Sequence, residues 1–485
     1  MSTKKIKKTE LILLPDNFDL EQHIVQYPLI KNGFYSSMKF NKEKIYYFLG
    51  LLTNIPARNQ DIVTEDGFVP INQKIIRDGI KDIKDYIDYL VNTEVIECDN
   101  YYIPNEKSFG YKWAEKYSLS KFSVKQLECK YIDFDTQKYA WQYEKYPYLF
   151  HWYQQNKLMI DDATEDYAFE LYQDKINDTT KESWDFNNKG ERKHPKTQYN
   201  SAILNIAKIK ECCYEAHIDD NVHRLHSAFT GLGKKYRKFV TYNGKKLAGI
   251  DIKNSQPYIA CLILNKDFWN FGTKHSSLPL NLKSLPDDIY INLITPRESS
   301  ELIKEYFKNV KETDITKYIN MVSSGLFYDK IAEIVNELGF GNPIGREEAK
   351  VFMFHTFYSS NKQPNELFLR QMRGIFKDLF PKVAEFFKII KHEYKIFKED
   401  KELRKAYPKQ YNKLACLLQS IESEIVLHKC CKRIWEEGNQ KVPVFTIHDS
   451  IITTQDNEDF VKKIMEEELK KHIGIAPLFS SEKWE

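Results

Sequence analysis

The sequence predicts an α+β fold, and three observations predict it. Leu247–Ile252 is a short apolar run of strand length with a carboxylate, Asp251, near its end. Val442–Thr454 holds two further strand-like runs meeting at a polar His448-Asp449-Ser450 tip, which reads as a β-hairpin presenting one carboxylate. Helical patterning dominates residues 130–220, and a basic helix lies between the two carboxylates.

Taken in order, residues 1 to about 30 read as a flexible lead-in. Residues 41–54 form an amphipathic helix with Ile45, Phe48, Leu49 and Leu52 on one side. Further helices are expected at about 71–80 and at 82–93, the latter with Ile83, Ile87 and Leu90 inward. Glu94–Pro104 reads as strand, Asp99-Asn100 turn, strand. Three helices followed by a two-stranded ribbon resemble a winged helix-turn-helix, which would contact nucleic acid through the 82–93 helix and the wing. That helix carries Lys81 and Lys84 but also Asp82, Asp85 and Asp88, a charge mixture poorly suited to gripping phosphate, so a small packing or partner-binding module stays open. The Tyr- and Trp-rich region after 130 is broken by a polar, basic stretch at 187–196, read as an exposed loop that either grips a duplex backbone or simply links helices.

A chain of 485 residues exceeds one ordinary core, so several domains are expected: 1–130, winged-helix-like; 131–222, helical and thumb-like; 223–485, the catalytic part. A hydrophobic content of 42% with 29% charged residues fits a globular enzyme rather than a disordered chain. The net charge of +3 means that any nucleic-acid contact comes from local basic faces. The 8 cysteines include no C-x-x-C pair, so they read as reduced, and a zinc site is not expected. Leu11–Leu14, stopped by Pro15, is too short for a signal-peptide core or a membrane span, and a cytoplasmic location is expected.

Phosphoryl transfer from a nucleoside triphosphate uses two divalent ions about 4 Å apart, and magnesium is satisfied by a few oxygen ligands plus water. Two strand-borne carboxylates, Asp251 and Asp449, suit that task, with the backbone carbonyl of Ile252 completing the shell. Alone, each Asp reads equally well as a turn or cap residue. Between them, Arg346, Lys350, Phe354 and Tyr358 recur every four residues and so stay on one helix face. The cations suit a triphosphate, and the rings suit a base or sugar. The plainer reading is an amphipathic helix with a buried aromatic half.

These residues resemble family A DNA polymerases. The segment Asp251–Gln256 is similar to their motif A, the 346–358 ladder to motif B on the fingers helix, and His448-Asp449 to motif C. Three further matches follow the same order: Arg224–Leu232 before motif A, Gln419 upstream of motif C, and the Ala476–Trp484 tail. The resemblance implies a right-hand polymerase: an antiparallel palm sheet with helical fingers and thumb. It implies two Mg²⁺ ions (Mn²⁺ as a substitute) on Asp251, Ile252 and Asp449, with Lys350 as a general acid. Arg346, Lys350, Phe354, Tyr358 and Gln256 would then bind the nucleotide. Arg224, Gln419 and His448 would bind the primer-template. The partners implied are a DNA primer-template and deoxynucleoside triphosphates, with RNA as an open alternative, no membrane, and a replication or mobile-element partner for the N-terminal domain.

The chain departs from that pattern. Ser450 stands where the DNA enzymes usually carry Glu, a feature shared with phage-type single-subunit RNA polymerases. Gln256 replaces the Glu that excludes a ribose 2′-hydroxyl, and Ser359 replaces a Gly. Residues 266–342 read as an insert in the fingers, and the front of the chain does not read as an α/β exonuclease, so no proofreading is expected. An RNA polymerase, a primer-independent synthase, and an inactive polymerase fold that only binds nucleic acid remain the alternatives.

Overall fold

The computed structural model describes residues 8–29, 40–59, 62–104, 106–129, 136–186, 191–269, 278–289, 297–339, 342–392, 399 and 412–485. It is a mixed α+β structure. Its strands, in chain order, are β1 (Lys8–Pro15), β2 (Val69–Pro70), β3 (Ile96–Cys98), β4 (Gly110–Trp113), β5 (Phe122–Cys129), β6 (Leu158–Ile160), β7 (His217–Ile218), β8 (Leu225–His226), β9 (Val240–Tyr242), β10 (Lys245–Ile252), β11 (Phe445–Ile447), β12 (Ser450–Thr454) and β13 (Phe479–Lys483).

The lead-in is ordered from residue 8 onward, which corrects the flexible reading. β1 pairs antiparallel with β5 along its whole length, from Lys8 opposite Cys129 to Pro15 opposite Phe122. The run Leu11–Leu14 is buried, which is why an apolar tetrapeptide too short for a membrane sits here. A helix follows at Leu20–Gln26, where the Asp19 side chain accepts from the Glu21 and Gln22 backbone amides. Lys4, Lys5 and Lys7 lie outside the described residues.

Helices at Lys42–Arg58, Gln73–Gly79 and Ile83–Asn92 are followed by β3 and β4, and β2, β4 and β3 form one three-stranded sheet in that order. The ribbon differs from the expected tight hairpin. Its second strand is 110–113, so β3 and β4 are separated by eleven residues rather than by a turn at Asp99-Asn100. Asp99 causes this: its Oδ1 accepts from the Gly110 amide at 2.8 Å and the Tyr101 amide at 3.1 Å, and its Oδ2 from Lys107 Nζ at 2.9 Å. The 83–92 helix buries Ile83, Tyr86, Ile87, Tyr89 and Leu90, leaving Lys84, Asp85 and Asp88 as its outward ionisable groups. The more exposed helix is 73–79, with Lys74, Ile75, Arg77 and Asp78 in solvent.

The stretch 131–222 supplies helices at Ala140–Lys145, Pro147–Gln154, Ala163–Ile176 and Pro195–Lys210, and also β6 and β7. The 195–210 helix is buried from Pro195 through Ile209 except at Gln198, so it is a central helix although it carries polar residues such as Asn200, Asn205 and Lys208. Of the basic stretch 187–196, residues 187–190 lie outside the described residues, and Pro195 and Lys196 open that central helix. Lys196 Nζ lies 4.0 Å from the Phe122 ring centre and donates to the Ser120 carbonyl at 2.7 Å. It is therefore a packing residue rather than a solvated one.

The main sheet runs β11-β12-β10-β9-β6, with β13 on the other side of β10. β9 and β10 are joined through Asn243-Gly244, both at positive φ (50° and 76°), the turn chemistry that matches strand twist. β10 is the hub: Asp251 stands opposite Ser450 of β12 and Ser480 of β13. Leu247, Ala248, Ile250 and Ile252 are buried, each large one contributing roughly 1.5–3 kcal/mol. Trp484 closes the sheet, its backbone amide bonding the Leu247 carbonyl at 3.0 Å. Of the 266–342 region, helices at Arg297–Asn309, Glu312–Ser323 and Phe327–Glu337 are described. Among the described residues no helix is long and apolar enough to cross a membrane, and the cysteines at 98, 212, 213, 261, 416, 430 and 431 are free of disulfides.

Candidate active site

Asp251 and Asp449 lie 198 positions apart in sequence and meet at one end of the sheet (449 − 251). β11 and β12 form the expected hairpin, with Ile447 opposite Ser450 and His448-Asp449 as its two-residue tip. His448 sits at φ 55°, the left-handed conformation that such a tight tip demands. Because Ser450 is directly opposite Asp251, the preceding Asp449 is carried to the same sheet edge. Ser450 Oγ donates to Asp251 Oδ1 at 2.6 Å.

These carboxylates act on one another electrostatically. Asp449 has its pKa pushed well above the ordinary range, first by burial, then by the negative charges of Glu422 and Asp251. His448 is pushed down to about 4, by burial first and then by Arg224, His226 and Arg237.

Glu422 is the site residue that sequence reasoning missed. It lies on the Lys413–Ile425 helix, one turn beyond Gln419, and is 1% exposed. A buried carboxylate must be paired or strongly hydrogen-bonded. Glu422 meets that condition fully: Oε1 accepts from Arg224 Nη2 at 2.5 Å, and Oε2 from Ser255 Oγ at 2.9 Å and Gln256 Nε2 at 2.5 Å. The available signal was faint: both Glu422 and Glu424 lie among the apolar positions Leu417, Leu418, Ile421 and Ile425, and spacing does not single out the buried one. Gln419 is half-buried and makes no side-chain hydrogen bond among the described residues.

The Arg346–Tyr358 helix is fastened at both ends to the segment after Asp251. Arg346 Nη2 donates to Asn254 Oδ1 at 3.3 Å, and Tyr358 Oη donates to Gln256 Oε1 at 2.7 Å. Asn254 adopts φ 53°, which ends β10 and starts the Ser255–Ile263 helix. Down the ladder, Lys350 Nζ lies 6.0 Å from the Phe354 ring centre, and the Phe354 and Tyr358 rings are 5.6 Å apart. Lys350 is exposed and forms no ion pair among the described residues, whereas Arg346 is paired with Asp329 of the 327–337 helix. Tyr358 has its hydroxyl pKa raised well above normal, by burial first and also by Glu422 and Asp449. That places the foot of the ladder beside the carboxylates.

The donor set fits an anionic substrate with a divalent cation. Arg224 Nε and Asn254 Nδ2 are buried donors with no hydrogen-bond partner among the described residues. Asp449, crowded by like charge, gains from a cation, and magnesium accepts two carboxylates when substrate and water supply the remaining oxygens. No group of three or more His, Cys, Asp or Glu side chains able to hold a metal is present among the described residues. A site here would therefore rest on Asp251, Asp449 and the carbonyl of Ile252.

No protein-family model matches the chain, and no curated protein matches it. Among solved structures it is similar to the POL domain of Pol1 from M. smegmatis in complex with DNA primer-template and dNTP. The identity is 12% and the TM-score 0.30, over 68% of this chain and 67% of that one. A likeness that low assigns nothing by itself.

Proposed function

We propose that the chain is a template-directed nucleotidyltransferase of the right-hand polymerase type, a DNA polymerase that extends a primer and has no proofreading exonuclease. The observation that carries this reading is that Asp251 and Asp449 come to one end of the sheet while both ends of the 346–358 helix hydrogen-bond the segment just after Asp251, Tyr358 reaching Glu422 through Gln256. Transfer to a triphosphate requires carboxylates and cations held in one region, and this fastening supports that arrangement.

In this reading Asp251, Asp449 and the Ile252 carbonyl would hold Mg²⁺, with Mn²⁺ as a substitute. The metal supplies charge stabilisation and an activated primer hydroxyl. Arg346 and Lys350 grip the triphosphate, Arg346 leaving Asp329 to do so. Lys350 donates a proton to the leaving pyrophosphate, a role that needs its ammonium form. Phe354 and Tyr358 form one wall of the nucleotide pocket, and Gln256 meets the sugar. Arg224, Gln419 and His448 contact the primer-template. The N-terminal helices with the β2-β4-β3 sheet act as a winged-helix-like module for a nucleic-acid or replication partner, its exposed cations including Lys74, Arg77, Lys81 and Lys84.

The test is extension of a labelled DNA primer-template with Mg²⁺ and either deoxy- or ribonucleotides. Deoxynucleotide extension is expected, lost in Asp251→Ala and Asp449→Ala while duplex binding persists. Duplex binding with no extension by the unaltered chain would mean an inactive polymerase fold, and preferential use of ribonucleotides an RNA polymerase.

A further inference from the structure

Gln256 is held at both ends of its amide. A carboxylate only accepts hydrogen bonds, so the contact at 2.5 Å with Glu422 Oε2 must be made by Gln256 Nε2. The other end, Oε1, then accepts from Tyr358 Oη at 2.7 Å. Gln256 is 8% exposed, so few alternative rotamers are open to it. With Glu at 256, the family's usual residue there, two carboxylates would sit at that contact inside a buried site, a strongly unfavourable arrangement. Gln at 256 and Glu at 422 are thus mutually required: one carboxylate and one amide share the junction.

We infer that Glu422 is a positioning residue for sugar selection: it clamps Gln256 as a rigid wall beside the sugar, so that the pocket takes 2′-deoxynucleoside triphosphates and refuses 2′-hydroxyls. The inference rests on the polymerase reading above. Rigidity matters because an unclamped glutamine can swing away from a 2′-hydroxyl or turn a free amide toward it, and either motion admits the ribose. The clamp consumes one Nε2 proton and one Oε1 lone pair and fixes the plane of the amide. Glu422 also holds Arg224, so the wall and the proposed primer-contacting arginine share one anchor.

The experiment measures kcat/KM for dCTP and CTP opposite a template G, with Mg²⁺ and a DNA primer-template. The unaltered chain, Glu422→Gln, Gln256→Glu and the double variant are compared. The deoxy-to-ribo ratio should be high in the unaltered chain and fall by about ten-fold or more in Glu422→Gln. It should recover in the double variant, where the carboxylate and the amide have exchanged places. A purely structural role would lower both nucleotides together and leave the ratio fixed. Thermal unfolding of each variant shows that it is folded. A ratio unchanged in folded Glu422→Gln, or not restored by the exchange, overturns the inference and leaves the polymerase reading standing. So does an unaltered chain that uses dCTP and CTP equally. An unaltered chain that incorporates neither nucleotide overturns both.

Discussion

Ser450 Oγ donates to Asp251 Oδ1 at 2.6 Å from the strand position directly opposite. Its hydroxyl fixes one oxygen of the neighbouring carboxylate. Ser450→Ala should leave the fold within about 1 kcal/mol of the original, the value of one hydrogen bond. Extension should slow by roughly ten-fold as the carboxylate becomes free to rotate, since small displacements at a reacting centre are costly. Single-turnover kinetics checks this, and an unchanged rate means that the bond does not orient Asp251.

Asp449 is half-buried and crowded by the negative charges of Glu422 and Asp251. Its neutral isostere should relieve that repulsion. Asp449→Asn is expected to stabilise the metal-free protein by an amount of order 1 kcal/mol, seen as a higher melting temperature, while abolishing extension. A lower melting temperature would mean that the carboxylate supports the fold.

Arg346 is held by Asp329. If an incoming triphosphate competes for that guanidinium, Asp329→Asn should lower KM for the nucleotide several-fold, and Arg346→Ala should raise it. Both changes are read from steady-state extension. A raised KM in Asp329→Asn would instead mark the pair as a brace that aims Arg346.

His428 lies away from the carboxylates, in the π-helical turn Val426–Cys431, with Nδ1 2.8 Å from Tyr148 Oη. Burial, assisted by Lys429, pushes its pKa down to about 4 from an ordinary value of 6.5. The folded state therefore keeps it neutral, while the unfolded chain binds a proton below 6.5. The associated stability is complete above pH 6.5 and is lost as the pH falls from 6.5 toward 4. His428→Gln retains an acceptor for Tyr148 but does not titrate, so its unfolding free energy should fall less steeply across that window. Denaturant melts at pH 7, 6 and 5 test this, and parallel slopes would remove His428 from the account.

Local chemistry made several elements legible in advance. The alternation and turn residues around His448-Asp449 specify a hairpin, the apolar run 247–252 specifies a strand, and the four-residue ladder from Arg346 specifies one helix face, because each signal is carried by residues close in sequence. Glu422 carried no such signal. Its importance lies in meeting Arg224, Ser255 and Gln256, residues at least 166 positions away, and only chain packing makes that junction. The pairing of Arg346 with Asp329 and the joining of β6 to the main sheet were likewise settled by contacts between separate elements. The sequence by itself determined which short stretches bear carboxylates, cations and rings. Tertiary structure decided which of them share a dry, hydrogen-bonded site, because burying a charge forces it to find partners that its own segment cannot supply.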